Sequence, residues 1–77
     1  MDITVLFFGQ LAELADTNET VFQSVIDTDA LKIQLQQKYP PFADAAYIIA
    51  VNKIVTDQNI PLFNGATVAL LPPFSGG

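Results

Sequence analysis

One segment has the pattern of a full amphipathic helix, and it constrains the fold more than any other feature of the sequence. Leu31, Leu35 and Tyr39 recur every four residues, which places them on one face of a helix. Two prolines at 40–41 follow at once and end that helix. A single apolar stripe needs one partner layer, so the rest of the chain is expected to form a sheet. Either Asp27 or Thr28 can cap the helix, and Asp29 suits its positive first turn.

Residues 2–8 are rich in β-branched and aromatic types, which predicts a strand. Alternation along this strand gives one fully apolar face and leaves Leu6 and Phe8 on the other side. The face predicted to point into the core consists of Ile3, Val5 and Phe7.

The remaining segments alternate short elements with turn chemistry. In the short strand at 54–55, Ile54 is expected to point inward and Val55 outward. In the last strand, Val68 and Leu70 form the apolar face and Leu71 points outward. The segments are predicted as a short helix at 10–15, a turn at 16–18, an edge strand at 19–24, an irregular connection at 42–46, a strand at 47–51, a turn at 52–53, a loop at 56–63, a turn at 64–65 and a final strand at 67–71.

This order of elements predicts one α+β domain spanning residues 1–77, a β-grasp roll whose main helix packs on one face of a mixed sheet. If the first and last strands pair in parallel, Phe8, Val55 and Leu71 gather on the outer face. Three exposed apolar residues beside an extended tail at 72–77 indicate a docking surface. The alternative is that one or two of them are ordinary exposed apolar residues, which are common in soluble proteins.

Composition limits the chemistry available to the chain. The sequence contains no cysteine, which excludes disulfides and thiolate nucleophiles, and no histidine, the usual general base and the commonest metal ligand. The pair Asp27 and Asp29 is interpreted as a helix start rather than a catalytic dyad. Ser75 has no histidine that could act as its base. The terminal carboxylate of Gly77 therefore remains as the one candidate reactive group.

Charge and hydropathy limit the partners. The net charge of −5 disfavours nucleic acid and anionic membrane surfaces and favours a basic protein surface. Charged residues make up 14% of the chain, against about 25% in ordinary soluble domains, so an exposed apolar patch and a role in a complex are expected. The chain shows no signal-peptide pattern and no apolar run approaching the roughly 20 residues that span a bilayer, so a soluble, cytoplasmic protein is expected.

The last eight residues are expected to form a narrow, extended segment that ends in the terminal carboxylate. The two prolines stop strand pairing and stiffen the exit of the chain, whereas Gly76 and Gly77 can lie in a channel too narrow for any other side chain. A carboxylate is inert until it is activated, for example as an acyl-adenylate that a sulfur or nitrogen nucleophile can attack. The alternative is a frayed terminus. The segment reads Leu70-Leu71-Pro72-Pro73-Phe74-Ser75-Gly76-Gly77.

Four segments spread over the whole chain resemble the MoaD/ThiS sulfur-carrier family, and within it the MoaD branch, small subunits of molybdopterin synthase with a ubiquitin-like β-grasp fold. The segment from Pro72 to Gly77 is the most specific part of the resemblance. The matching segments are Val5-Leu6-Phe7-Phe8, Ala50-Val51-Asn52, Pro61-Leu62-Phe63-Asn64-Gly65 and Val68-Ala69-Leu70-Leu71-Pro72-Pro73-Phe74-Ser75-Gly76-Gly77.

The resemblance implies a non-catalytic carrier subunit. A MoeB-type enzyme would adenylate Gly77, beside Gly76, using ATP and Mg²⁺, and the carrier itself would bind no cofactor or metal. The resulting thiocarboxylate would pass sulfur to cyclic pyranopterin monophosphate to form the dithiolene of molybdopterin. The catalytic residues would lie on the MoaE-like large subunit, in a hetero-oligomer. The implied partner interface comprises Phe8, Val55, Leu71, Pro72, Pro73, Phe74 and Ser75.

Two other functions remain open at this point. The chain could carry sulfur for thiamin synthesis or for another thiolation pathway. It could also be a ubiquitin-like modifier or interaction domain whose tail is never thiolated.

Overall fold

A computed structural model of the chain, describing residues 1–73, contains a five-stranded sheet and one main helix. The predicted arrangement of one helix on a mixed sheet is therefore confirmed. The elements are β1 (Asp2–Phe7), α1 (Gln10–Ala15), β2 (Glu19–Gln23), α2 (Thr28–Lys38), a 3₁₀ helix (Pro40–Asp44), β3 (Ile48–Val51), β4 (Ile54–Thr56) and β5 (Thr67–Leu71).

The sheet has the strand order β2-β1-β5-β3-β4, so β2 and β4 form its edges, as predicted for β2. At its centre β1 runs parallel to β5, with Val5 opposite Val68 and Phe7 opposite Leu70. All other neighbouring strands pair antiparallel. The condition on which the predicted outer face depends, parallel pairing of the first and last strands, is therefore met.

The core lies between one face of the sheet and α2. Leu31 and Leu35 are fully buried, and Tyr39 is half-buried at the end of the helix. The predicted inward face of β1 is buried, as are Val68 and Leu70. The alternation of the first strand, the final strand and the helix stripe was therefore sufficient to identify the central core.

The connection after α2 corrects the prediction of an irregular segment at 42–46. Pro40–Asp44 forms a 3₁₀ helix, which accepts proline at its start because the first N–H groups of a helix have no partner within it. Phe42 in this helix is buried, and its ring centre lies 5.6 Å from that of Phe7 and 5.9 Å from that of Tyr47. Aromatic packing of this kind anchors the connection to the core.

The loop before β5 is fastened to the start of α2 by side-chain hydrogen bonds. The Asp27 carboxylate accepts a 2.8 Å hydrogen bond from the Ala30 amide and caps the helix, as predicted. The side-chain oxygen of Asn59 accepts hydrogen bonds from the Asp29 amide at 2.9 Å and from the Thr28 hydroxyl at 3.1 Å. A residue of the loop therefore satisfies the Asp29 amide, one of the first N–H groups of the helix, which have no partner within it.

The Asn59→Ala substitution is expected to lower the free energy of unfolding by about 1 kcal/mol, the usual cost of losing a helix cap. Urea unfolding followed by circular dichroism measures this loss. The matched control is Asn18→Ala, because Asn18 holds β1 through its backbone carbonyl, which accepts from the Phe7 amide at 2.9 Å. Equal stability of the two variants would contradict a capping role for Asn59.

Candidate functional site

The face of the sheet turned away from α2, called here the outer face, carries a continuous apolar surface. The strand register fixes which side chains share it, because residues opposite each other in neighbouring strands point to the same side. One row across the sheet consists of Leu6, Ala69, Ala50 and Val55, and the next contains Leu71 and Ile48.

The three residues predicted to dock partners all lie on this outer face. Phe8 follows β1 directly and is 44% exposed, and its amide donates a 3.1 Å hydrogen bond to the Leu70 carbonyl, which continues the parallel pairing. Leu71 is partly buried, and Val55 is 63% exposed. The register places Phe8 beside Leu71, whereas Val55 lies two strands away at the β4 edge.

A shallow depression of about 420 Å³ lies within the outer face. Its position shows that the docking prediction omitted residues that belong to the same surface, in particular Leu6 and Ala69. The alternation of β1 and β5 carried the signal for both, since each stands two positions from a predicted docking residue. The lining residues are Leu6, Phe8, Asn52, Lys53, Thr67 and Ala69.

The prediction for Ile54 needs correction. The register places Ile54 opposite Val51, on the side of the sheet that faces the core, yet Ile54 is 71% exposed. The reason is its position in the sheet: β4 is a three-residue edge strand, and among the described residues the buried core includes none from β4. Alternation gives the side on which a residue points but not whether another layer covers it.

The described part of the tail leaves the sheet next to the outer face. β5 ends at Leu71, confirming that strand pairing stops near Pro72, and Pro72 is half-buried while Pro73 is exposed. A Cβ atom placed on Gly9 would lie only 2.8 Å from the Cγ atom of Pro72, so the proline packs directly against the turn between β1 and α1. The other predicted tail residues, Phe74, Ser75, Gly76 and Gly77, lie outside the described residues.

The lysines Lys53 and Lys38 lie in different parts of the molecule, one at the outer face and the other on α2. Lys53 contributes a cation to the depression, whereas Lys38 on α2 donates a 3.2 Å hydrogen bond to the Thr20 hydroxyl and lies 5.5 Å from the centre of the Phe22 ring. Burial raises the pKa of the Tyr47 hydroxyl, so this residue stays neutral at physiological pH. Within residues 1–73, no cluster of acidic side chains is placed to hold a metal ion.

Residues 1–73 contain no helix with the length and apolar character needed to cross a bilayer.

Comparison with known families identifies the chain. The sequence model of the ThiS family matches residues 5–77, from the first strand to the terminal glycines. The chain belongs to the ThiS family. Two curated members are molybdopterin synthase sulfur carrier subunits. The one from Mycobacterium tuberculosis (strain ATCC 25618 / H37Rv) is 35% identical over 80 residues, covering 97% of this chain and 96% of that protein. The one from Escherichia coli (strain K12) is 34% identical over 80 residues, covering 97% and 99%.

Solved structures confirm the ubiquitin-like β-grasp fold. The complex of subunits 1 and 2 of molybdopterin-converting factor from Helicobacter pylori 26695 contains a chain that matches with a TM-score of 0.76 and 30% identity, covering 100% of both chains. The small archaeal modifier protein 1 from Methanosarcina acetivorans matches with a TM-score of 0.80 and 24% identity, covering 99% of this chain and 96% of that one. The second likeness concerns the fold alone.

The outward orientation of Leu71 predicts that Leu71→Asp leaves the domain folded, with a loss of about 1 kcal/mol or less in the free energy of unfolding. The matched control is Leu70→Asp, one position earlier and fully buried, which is expected to cost more than about 4 kcal/mol because it places a charge in the core. Urea titration of both variants measures the difference. If Leu71→Asp unfolds the domain as Leu70→Asp does, Leu71 does not belong to the outer face.

Proposed function

We propose that this protein is the sulfur carrier subunit of a molybdopterin synthase. The observation that carries the proposal is the match to the ThiS family through residue 77, which includes both terminal glycines, together with the full-length likeness to two curated sulfur carrier subunits. The reactive centre is the carboxylate of Gly77. The absence of histidine and cysteine from the sequence agrees with a chain that carries a group and leaves catalysis to its partners.

Activation of the tail takes place in the nucleotide site of a MoeB-type adenylyltransferase. The Gly77 carboxylate attacks the α-phosphorus of ATP, pyrophosphate leaves, and an acyl-adenylate forms. A sulfur nucleophile at the oxidation level of sulfide then displaces AMP and leaves a thiocarboxylate. ATP and Mg²⁺ belong to the activating enzyme. Gly76 and Gly77 contribute the absence of side chains, which lets a second protein close around the reacting carbonyl.

Delivery follows when the large synthase subunit accepts the tail. The thiocarboxylate sulfur is transferred to cyclic pyranopterin monophosphate, and Gly77 returns to a carboxylate as water supplies the lost oxygen. A dithiolene contains two sulfur atoms and each carrier brings one, so each product molecule consumes two charged carriers. The large subunit supplies the acid and base groups that these steps need.

The outer face is the part of this chain that holds both partners. Two of its apolar side chains, Phe8 and Leu71, lie at the point where β5 becomes the tail, so docking and insertion of the tail are geometrically linked. Apolar residues in the centre of an interface usually supply most of the binding energy. Because the activating enzyme and the large subunit use the same face, they bind alternately. In the tail, Pro72, Pro73 and Ser75 line the interface and Phe74 guides the end of the chain into the acceptor site.

Deletion of Gly77, or addition of one residue after it, is expected to abolish sulfur loading and delivery while the domain stays folded. The intact mass is measured after incubation with the activating enzyme, ATP and a sulfide source. The parent chain should gain the mass difference of one oxygen-to-sulfur exchange, and the deletion variant should gain none. Sulfur loading of the extended chain would contradict the tail assignment.

The mass measurement and co-purification together separate the rival functions. A parent chain that shows no exchange with a competent enzyme would instead be an interaction or modifier domain. A carrier for thiamin synthesis would load sulfur but co-purify with a thiazole synthase. The H. pylori match, a complex of two converting-factor subunits, favours the molybdopterin synthase partner.

The Phe8→Asp substitution is expected to raise the dissociation constant for the large subunit at least tenfold, because it places a charge within the apolar interface. Isothermal titration calorimetry measures the constant. The control is Ile33→Asp, which changes an equally apolar residue, 59% exposed, on α2. Equal weakening by both substitutions would show that the outer face is not the docking surface.

A further inference from the structure

The turn between β1 and α1 contacts the base of the tail through a residue without a side chain. Gly9 has φ +57° and ψ −135°, and a Cβ atom added to it would lie 2.8 Å from Cγ and 3.7 Å from Cδ of Pro72. Side chains rarely occupy that backbone region, and a carbon–carbon separation of 2.8 Å forces one of the groups to move. The backbone of Gly9 thus forms a seat that fits Pro72 only when position 9 has no Cβ.

The seat is itself held in place by hydrogen bonds on both sides. The Phe8 amide donates to the Leu70 carbonyl at 3.1 Å, which joins the turn to the last residues of β5. On the other side, the Leu11 amide donates to the Phe8 carbonyl at 3.1 Å and the Ala12 amide donates to the Gly9 carbonyl at 3.1 Å. Gly9 therefore has little freedom to yield, and Pro72 would be the group that moves.

The direction that the backbone takes at Pro72 also determines where Pro73 lies, because the dihedral angles of this segment are restricted. Proline fixes its own φ, and a residue that precedes proline is confined to extended conformations, so Leu71 and Pro72 are each restricted by the residue that follows. The five residues from 73 to 77 span at most roughly 18 Å. A change of about 10° at the base of an extended chain of that length moves its end by roughly 3 Å.

We propose that Gly9 is a positioning residue for the carboxyl-terminal tail, which acts by seating Pro72 and thereby setting the direction in which the tail leaves the domain. The consequence for sulfur transfer rests on the proposed function, whereas the positioning itself does not. Misplacement of a reacting group by about 1 Å can cost roughly 100-fold in rate, so a displaced tail lowers the rate of transfer within the complex more than it lowers affinity.

Three substitutions isolate this contact. Gly9→Ala introduces the clash with Pro72. Gly65→Ala is the matched control, because Gly65 also has a positive φ (+87°) but an added Cβ would meet no atom within 4 Å. Pro72→Ala removes the Cγ and Cδ atoms together with the fixed φ. Both glycine variants place a side chain at a positive φ, so an effect of Gly9→Ala that Gly65→Ala lacks, and that is not additive with the effect of Pro72→Ala, reports the contact with Pro72.

A distance measurement tests the positioning without any sulfur chemistry. The sequence contains no cysteine, so nitroxide labels at Ser75→Cys and Gln37→Cys are the only ones attached, and their separation is measured by double electron–electron resonance. Gly9→Ala and Pro72→Ala are expected to shift or broaden the distance distribution, whereas Gly65→Ala leaves it as in the parent. An unchanged distribution in Gly9→Ala overturns the proposal whatever the chain does with sulfur.

A second experiment measures sulfur transfer from the thiocarboxylated carrier without nitroxide labels. The large subunit is present at a saturating concentration together with its pterin substrate. The single-turnover rate of Gly9→Ala should fall about 10- to 100-fold, while Gly65→Ala stays within about 2-fold of the parent. The Gly9→Ala/Pro72→Ala double variant should be no slower than the slower single variant, since both changes disrupt one contact. Equal rates for the two glycine variants overturn the catalytic consequence. Failure of the parent to load sulfur at all would contradict the proposed function and leave the resonance result to decide the positioning.

Discussion

The parallel pairing of β1 with β5 is the interaction on which the rest of the structure depends. It joins the beginning of the chain to its end at the centre of the sheet, with Phe7 opposite Leu70. The same register that buries these two side chains under α2 turns Phe8 and Leu71 to the outer face. It also brings the base of the tail against the turn after β1, where Pro72 meets Gly9. The core, the outer face and the contact at the base of the tail therefore follow from one alignment.

A helix on only one side of the sheet explains why so small a domain has so apolar a surface. α2 covers the face that contains Val5 and Val68, and the opposite face retains Leu6, Phe8 and Val55 with no layer of the described chain over them. Exposing such an apolar surface to water is energetically unfavourable, and exposed patches of this kind commonly mark interaction sites. Under the proposed function, a bound partner would cover the apolar side chains of this face that lie at the base of the tail, Phe8 and Leu71.

Patterns within short segments of the sequence predicted which faces of the central strands and of the main helix are buried. Alternation identified both faces of β1 and β5, and the spacing of Leu31 and Leu35 identified the buried side of α2. Neither pattern predicted that Phe42 is buried in a 3₁₀ helix, because its burial depends on aromatic rings from other segments of the chain. Nor did either pattern predict the exposure of Ile54, which depends on the width of the covering layer. The tail was predicted from its glycines and prolines. The contact between Pro72 and Gly9 joins residues too far apart in sequence for any local pattern to reveal.

The central claim is that the outer face and the tail engage one partner together. The most direct test is a titration of ¹⁵N-labelled carrier with the large synthase subunit, followed by backbone amide chemical shifts. Chemical-shift changes and line broadening are expected to concentrate at Leu6, Phe8, Leu71 and the residues after Pro73, while amides around Ile33 on α2 stay unchanged. Perturbations centred on α2, or confined to the tail without the outer face, would contradict the central claim.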